Sequence, residues 1–332
     1  MRAPAFWWKK PGAASALLSP VAAIYGTIAM RRLRHPGERA GIPVICVGNL
    51  TVGGAGKTPA AIAVARMLIA AGEKPIFLTR GYGGWLAGPV TVTPAHNAME
   101  VGDEPLLLAR VAPTIVARDR VVGARHARAA GASVIVMDDG FQNPSLAKDL
   151  SILVVDGARG IGNGRVLPAG PLRAPFDVQL DRAHAILIVG EIIGASPLVI
   201  AARERGLPLF HATLVPDPTT VAELAGANVL AFAGIGNPAK FFATIAEARI
   251  EAPIHRAFGD HHRYRADEAA ALIKEAGRAG LTLLTTEKDL ARMQGDAGVA
   301  ELAARSRTLP VNLKITEEDD FHRLVLGARA SG

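Results

Sequence analysis

Short apolar runs, each followed by a polar or glycine-rich stretch and then by apolar residues at helical spacing, set the pattern of this chain. Residues 42–47 read as a buried strand and 59–71 as the helix after it. Comparable strand runs follow at 75–79, 90–92, 114–117, 134–137, 152–155 and 185–189. Continuous apolar strands alternating with helices predict a mainly parallel sheet covered on both faces. The pattern breaks near Val215-Pro216-Asp217-Pro218. A second α/β set then begins, with strands at 228–233 and 281–285 and helices at 238–247 and 266–279. The expectation is a larger unit over 37–216 and a smaller α/β unit over 217–332, with a cleft between them where a substrate binds. The last residues read as a frayed tail.

The N-terminus has its own pattern. Phe6, Trp7, Trp8, Lys9 and Lys10 precede an uncharged stretch over 13–30, which Arg31, Arg32 and Arg34 close. As a helix this stretch is about 27 Å long, near the thickness of a bilayer's hydrocarbon core. A transmembrane span fits that length. Against it, Pro20 and Gly26 interrupt the run, small residues are frequent, and basic residues flank both ends. Arginines also stand where a signal peptide needs a small-residue cleavage site. Leu17, Val21, Ile24 and Ile28 recur at helical spacing, while Ser15, Ser19 and Ala22 fall elsewhere on the wheel. Tryptophans at headgroup level and arginines at lipid phosphates complete an interfacial helix region over 1–36. A core helix packed on the domain is the alternative.

Composition narrows the partners. With 332 residues the chain is long enough for two cores. Half of the residues are hydrophobic and 20% are charged, which excludes a disordered chain. A mean hydropathy of +0.25 hints at a membrane-facing surface. The net charge of +7 favours acidic partners. Only 5% of residues are aromatic and no aromatic-interleaved basic patch occurs, so anionic lipid or a phosphorylated substrate fits better than nucleic acid. Cys46, the single cysteine, reads as a small buried hydrophobe and closes no internal disulfide.

The chemistry starts between the first strand and its helix. Thr51, Val52, Gly53, Gly54, Ala55, Gly56, Lys57 and Thr58 form a strand–glycine loop–helix passage that suits a polyphosphate. Lys57 would reach the β- and γ-phosphates and Thr58 a magnesium ion. One position departs from the general G-x-x-x-x-G-K-[ST] pattern, since Thr51 stands where the first glycine belongs. The apolar run 133–137 ends in Asp138 and Asp139, as a magnesium-holding strand end does. Adjacent strand residues face opposite ways, so the two cannot make the same contact. Asp103 and Glu104 open a helix-like run, where the helix dipole stabilises carboxylates and where a general base is also possible. Asp260, His261 and His262 read either as a solvated loop or as a carboxylate orienting an imidazole. Thr286 and Asp289 suit a helix cap. The glycine-rich loop 160–173, with Arg165 and Arg173, is a phosphate clamp or a mobile surface loop.

Together these segments resemble the lipid A 4′-kinase (tetraacyldisaccharide 4′-kinase) family. The matching stretches are Val47-Gly-Asn-Leu-Thr-Val-Gly-Gly-Ala-Gly-Lys-Thr-Pro59, Thr79-Arg-Gly-Tyr-Gly83, Gly102-Asp-Glu-Pro105, Asp138-Asp-Gly-Phe-Gln142, Leu167-Pro-Ala-Gly-Pro-Leu-Arg173, Gly234-Ile-Gly-Asn-Pro238, Asp260-His-His262 and Thr286-Glu-Lys-Asp289. They occur in family order over nearly the whole chain, and Thr51 is itself a feature of the family's loop. The resemblance implies a P-loop NTPase-like fold and transfer of the γ-phosphate of ATP, with Mg2+, to the 4′-hydroxyl of a tetraacyldisaccharide 1-phosphate in lipid A biosynthesis. It implies attachment to the cytoplasmic face of the bacterial inner membrane, peripheral or monotopic, with no obligate protein partner. By the same resemblance Asp103 acts as base together with His261. Thr51 to Thr58 and Arg173 bind ATP, and Thr58, Asp138 and Asp139 serve the magnesium. The family usually carries Glu after that arginine, and Ala174 stands here.

Two other classes use part of this pattern. A phosphate-loop switch or metallochaperone would need a guanine-selective N-K-x-D element, of which Thr286-Glu-Lys-Asp289 is a near miss. A membrane adaptor holding nucleotide only structurally gives no reason for Asp103, His261 and the arginine loop.

Overall fold

The computed structural model describes residues 3–328; the expected frayed tail falls at 329–332, which with residues 1–2 lies outside the described residues. Eight strands come first: Val44–Gly48 (β1), Pro75–Thr79 (β2), Val90–Thr91 (β3), Thr114–Val116 (β4), Val134–Asp138 (β5), Leu150–Asp156 (β6), Ala185–Val189 (β7) and Leu209–Pro216 (β8). They lie in the order β8-β7-β6-β1-β5-β2-β4-β3, parallel throughout except for the β3–β4 edge pair. Every residue of β1, β2, β5, β6 and β7 is buried, which is why these strands read as unbroken apolar runs.

Helices cover both faces. Helix Ala13–Leu33 (α1) places Leu33 in one core layer, with Ala124, Ala127, Leu180 and Leu198 from later helices. Helix Lys57–Ala70 (α2) buries Ala61, Val64 and Leu68 on the other face.

A second sheet follows from Asn228–Ala233 (β9), Glu251–Ala257 (β10), Thr282–Thr285 (β11) and Ser306–Thr308 (β12), in the order β10-β9-β11-β12 and parallel. One face packs Leu230 and Phe232 on Leu272 and Ala276; the other packs Ala231 on Phe241 and Ile245. The chain then returns. Val311–Ile315 (β13) pairs antiparallel with β8, and helix Glu318–Gly327 buries Phe321 and Val325 in the same core layer as α2. The smaller sheet is thus an insertion between β8 and β13, where the sequence pattern alone assigned everything after 216 to one unit. The physical reason is the edge of the large sheet: Val311, Leu313 and Ile315 alternate with Asn312 and Lys314, a half-buried strand that covers β8.

Candidate active site

The C-terminal ends of β1 and β5, where ligands of open parallel sheets bind, carry the phosphate loop and the paired aspartates. Asn49 Nδ2 shapes the loop from within, donating to the carbonyls of Thr51 at 2.6 Å and Gly53 at 3.2 Å. Thr51 forms an antiparallel bridge with Leu172, and the Val52 N–H donates to Pro171 O at 2.9 Å. An extended, bridged residue needs no glycine, which accounts for the departure at this position. Gly56 is different. It turns through φ 92° before α2, and a Cβ there would only touch Val189, so backbone conformation and not crowding selects glycine. The first turn of α2 has no side-chain cap, leaving its N–H groups to an anion.

Asp138 and Asp139 part company. Asp139 takes a left-handed φ of 54° and turns its carboxylate to Arg173, whose Nη1 and Nη2 donate at 2.8 and 3.3 Å, with Lys57 Nζ at 3.8 Å. Burial alone would raise its pKa; Lys57 and Arg173 outweigh that and hold it low. Asp138 stays in the strand. Its Oδ2 accepts from the Thr58 hydroxyl at 3.3 Å, while its buried Oδ1 has no partner. Burial, then the nearby Glu104 charge, pushes its carboxyl upward. An orphaned carboxylate oxygen beside a hydroxyl fits a magnesium ion, which takes one or two carboxylates and leaves its other positions to phosphate and water.

Arg173 also donates from Nε to Thr51 O at 3.2 Å, so the glycine-rich loop 160–173 is packed on the phosphate loop. Ala174 is fully buried in the core and offers no polar group, and Gln142 and Asp139 make the side-chain contacts to Arg173.

Asp103 begins helix Asp103–Leu108 and is 3% exposed. His261 comes from the inserted unit at φ 53° and brings Nδ1 to 3.5 Å from Asp103 Oδ2, with Tyr82 against its ring. Burial would raise Asp103, but the His261 hydrogen bond and the charges of Arg292 and Lys288 hold it well below the usual carboxylate range. The same hydrogen bond raises His261 above an ordinary imidazole. His262 turns away to Glu268 at 2.8 Å. Two cations were given no role by sequence reasoning: Lys288 lies 2.6 Å from Glu104, and Arg292 Nε lies 2.7 Å from Asp103 Oδ2. The Thr286–Asp289 cap exists as expected, but the same segment also delivers this lysine across the cleft. Beside this pair, a second cleft runs from Tyr25, Ile28 and Arg32 of α1 past Arg80 and Arg118 to Arg173.

This geometry defines a phosphate-loop phosphotransferase in which a buried carboxylate of the larger unit meets an imidazole of the inserted one. Residues 14–329 match the family described as Tetraacyldisaccharide-1-P 4'-kinase, and the chain belongs to that family. It is 51% identical over 327 residues to a Tetraacyldisaccharide 4'-kinase of Rhodopseudomonas palustris (strain BisB18), covering 98% of this chain and 95% of that relative. A Methylobacterium sp. (strain 4-46) protein of the same description is 55% identical over 321 residues, covering 96% and 95%. Among solved structures, "apo" form LpxK from Aquifex aeolicus in complex with ATP superposes with a TM-score of 0.74 at 25% identity, over 96% of this chain and 100% of that one.

Proposed function

We propose that this chain is an ATP-dependent lipid kinase that phosphorylates the 4′-hydroxyl of a tetraacyldisaccharide 1-phosphate at the junction of its two units, in lipid A biosynthesis. The relatives' names support the acceptor, and the ATP of the Aquifex aeolicus structure supports the donor. One observation in this molecule carries the reading: buried Asp103 is paired with half-buried His261 in one pocket, next to Glu104, which feels the charge of Lys57 of the phosphate loop. A switch or an adaptor has no use for such a pair.

Residues 51–58 hold the polyphosphate, and Lys57 and Arg173 offset its charge. Thr58 and Asp138 hold magnesium, which when bound neutralises charge on the phosphate oxygens. Asp139 keeps Arg173 and Lys57 aimed at the loop. The sugar oxygen forms its bond to the γ-phosphorus as the bond to the β–γ bridging oxygen breaks, and ADP leaves. The hydroxyl proton goes to the Asp103–His261 pair. A carboxylate held so acidic is a weak base, so the proton comes to rest on His261, whose affinity for it is raised.

The acceptor reaches this point from a membrane. Helix α1 is long and apolar enough to span one, yet it is packed along the domain by Ser15, Ala22, Gly26 and Leu33. Its opposite stripe is bare, with Leu17 82%, Val21 55%, Ile24 66% and Ile28 55% exposed. That supports a helix lying in the interface and not across it. The use of ATP supports a place on the cytoplasmic face of the inner membrane.

Labelled ATP with and without the acylated disaccharide phosphate tests the reading. Lipid-dependent transfer is expected, and Asp103→Asn is expected to lower kcat by about 10²–10⁴ with KM for ATP little changed. Label released at the same rate without lipid points to a hydrolytic switch instead.

A further inference from the structure

Helix Glu287–Met293 carries Lys288 and Arg292 one turn apart, at positions i and i+4 of one face. Across the cleft, Asp103 and Glu104 stand side by side at the start of their own helix. Each cation takes one carboxylate: Lys288 Nζ is 2.6 Å from Glu104 Oε1, and Arg292 Nε is 2.7 Å from Asp103 Oδ2. All four side chains are largely buried, so these are not the solvated surface pairs that contribute little.

Arg292 is held from behind. Its Nη1 donates to Gly234 O at 2.8 Å, His262 O at 3.2 Å and Asp289 Oδ1 at 2.9 Å. Asp289 is in turn fixed by the Gly234 N–H and by the Tyr264 and Thr286 hydroxyls. The guanidinium therefore belongs rigidly to the inserted unit while its Nε grips a carboxylate of the larger one. Asp103 Oδ2 takes both Arg292 and His261, and Oδ1 accepts the Glu104 N–H at 3.1 Å. Together these contacts fix the plane of the carboxylate.

We propose that Arg292 is a positioning residue for phosphoryl transfer: with Lys288 it clamps the inserted unit onto Asp103 and Glu104, so that the proton-accepting pair is aligned only when the two units are docked. This rests on Asp103 and His261 receiving the hydroxyl proton. A carboxylate whose plane is free to rotate loses the near-attack geometry that position supplies, even though every reacting group is present.

The charged and titratable groups around the pair settle the sign of the pH effect. Arg292 and Lys288 face Asp103 from one helix, Glu104 is its neighbour, and Asp260 lies beside His261. Arg263, Asp296 and the phenols of Tyr82 and Tyr264 line the same pocket. Removing the Arg292 cation raises the proton affinity of Asp103 and His261 alike. Whichever of them limits activity at low pH, the acid limb moves to higher pH.

Arg292→Gln, Arg292→Lys and Asp103→Asn, compared across pH with labelled ATP and the lipid acceptor, test this. Arg292→Gln is expected to lower kcat on the order of a hundredfold, leave KM for ATP near the wild-type value, and displace the acid limb upward. Arg292→Lys restores the charge, and so most of the limb, but cannot hold Asp103 from one nitrogen and Gly234, His262 and Asp289 from another, so kcat stays low. A merely structural role would lower the melting temperature and scale all rates down with the limb unmoved. That result, or a near-wild-type kcat in Arg292→Gln while Asp103→Asn is inactive, overturns the clamp. Full turnover in Asp103→Asn overturns the base assignment instead. Should Arg292→Gln not fold, Lys288→Met is measured, and an acid limb that does not move upward in it counts against the proposal.

Discussion

At the scale of single residues, the neighbours Asp138 and Asp139 divide one task. The alternation of side chains along a strand already says that they cannot share a contact, but only Arg173, which reaches Asp139 from 34 residues away, decides which faces what. Asp139 is committed to Arg173 and Lys57, and Asp138 keeps an unpartnered buried oxygen. Leaving such an acceptor unmet costs about 1–3 kcal/mol, which a bound cation offsets. Asp138→Asn keeps the shape and removes the charge. It should raise the magnesium concentration needed for half-maximal activity by at least the roughly tenfold that loss of even an outer-shell partner causes. Asp139→Asn should instead impair ATP use at saturating magnesium, because Arg173 loses its forked partner. Magnesium titrations of the two variants decide; a magnesium defect confined to Asp139→Asn would reverse the assignment. Residues paired over long range were the illegible part of the site. Arg292 meets Asp103 across 189 positions and Lys288 meets Glu104 across 184, and no local pattern encodes such a meeting. The loop and the strand-end aspartates were legible from local pattern, whereas the Asp-His-His turn stayed open on spacing alone and took a role only from the family resemblance.

At the scale of elements, periodicity was a good guide where one face is buried and one is not. The wheel of α1 separates Leu17, Val21, Ile24 and Ile28 from Ser15 and Ala22, and the structure buries Ser15 and Ala22 while exposing the apolar four. Periodicity was silent about partners, so the return of β13 to the large sheet was not read. Nor was β10 recognised as a strand, since only its weakly buried Ala252 and Ile254 alternate with charged or exposed positions. The exposure of the α1 stripe makes it open to substitution without harm to the core, unlike a deletion of residues 1–33, which would also remove the buried Trp7 and Leu33. Leu17→Glu with Ile24→Glu removes two side chains, each worth about 1.5–3 kcal/mol when fully transferred from water. Co-sedimentation with vesicles should fall at least tenfold or so, with the melting temperature and the ATP affinity kept. Equal partitioning of variant and parent would show that the stripe does not meet the membrane.

At the scale of the whole molecule, charge and apolar surface act together. The chain carries a net charge of +7, and Lys9, Lys10, Arg31, Arg32 and Arg34 stand at the two ends of α1. A basic residue near an anionic surface contributes about 1 kcal/mol, and that attraction fades within a Debye length. Raising ionic strength from about 0.01 to about 1 M shortens that length from about 30 to about 3 Å, while the burial of Leu17 and its neighbours in lipid is not screened. Binding to vesicles containing anionic lipid should therefore fall with salt to a plateau and not to zero. The plateau is the contribution of the helix stripe, so the uncharged Leu17→Gln with Ile24→Gln should abolish it while keeping the salt-sensitive part. Neutral vesicles should show the plateau alone. If salt releases the parent protein completely, the membrane contact is electrostatic only, and α1 is a domain helix with an idle apolar face. If neutral and anionic vesicles bind equally at low salt, the basic flanks have no part in docking. Only the combined result, a salt-sensitive term over an unscreened one, fits the proposed docking of a cleft lined by Arg32, Arg80 and Arg118 against a membrane that carries an anionic, acylated substrate.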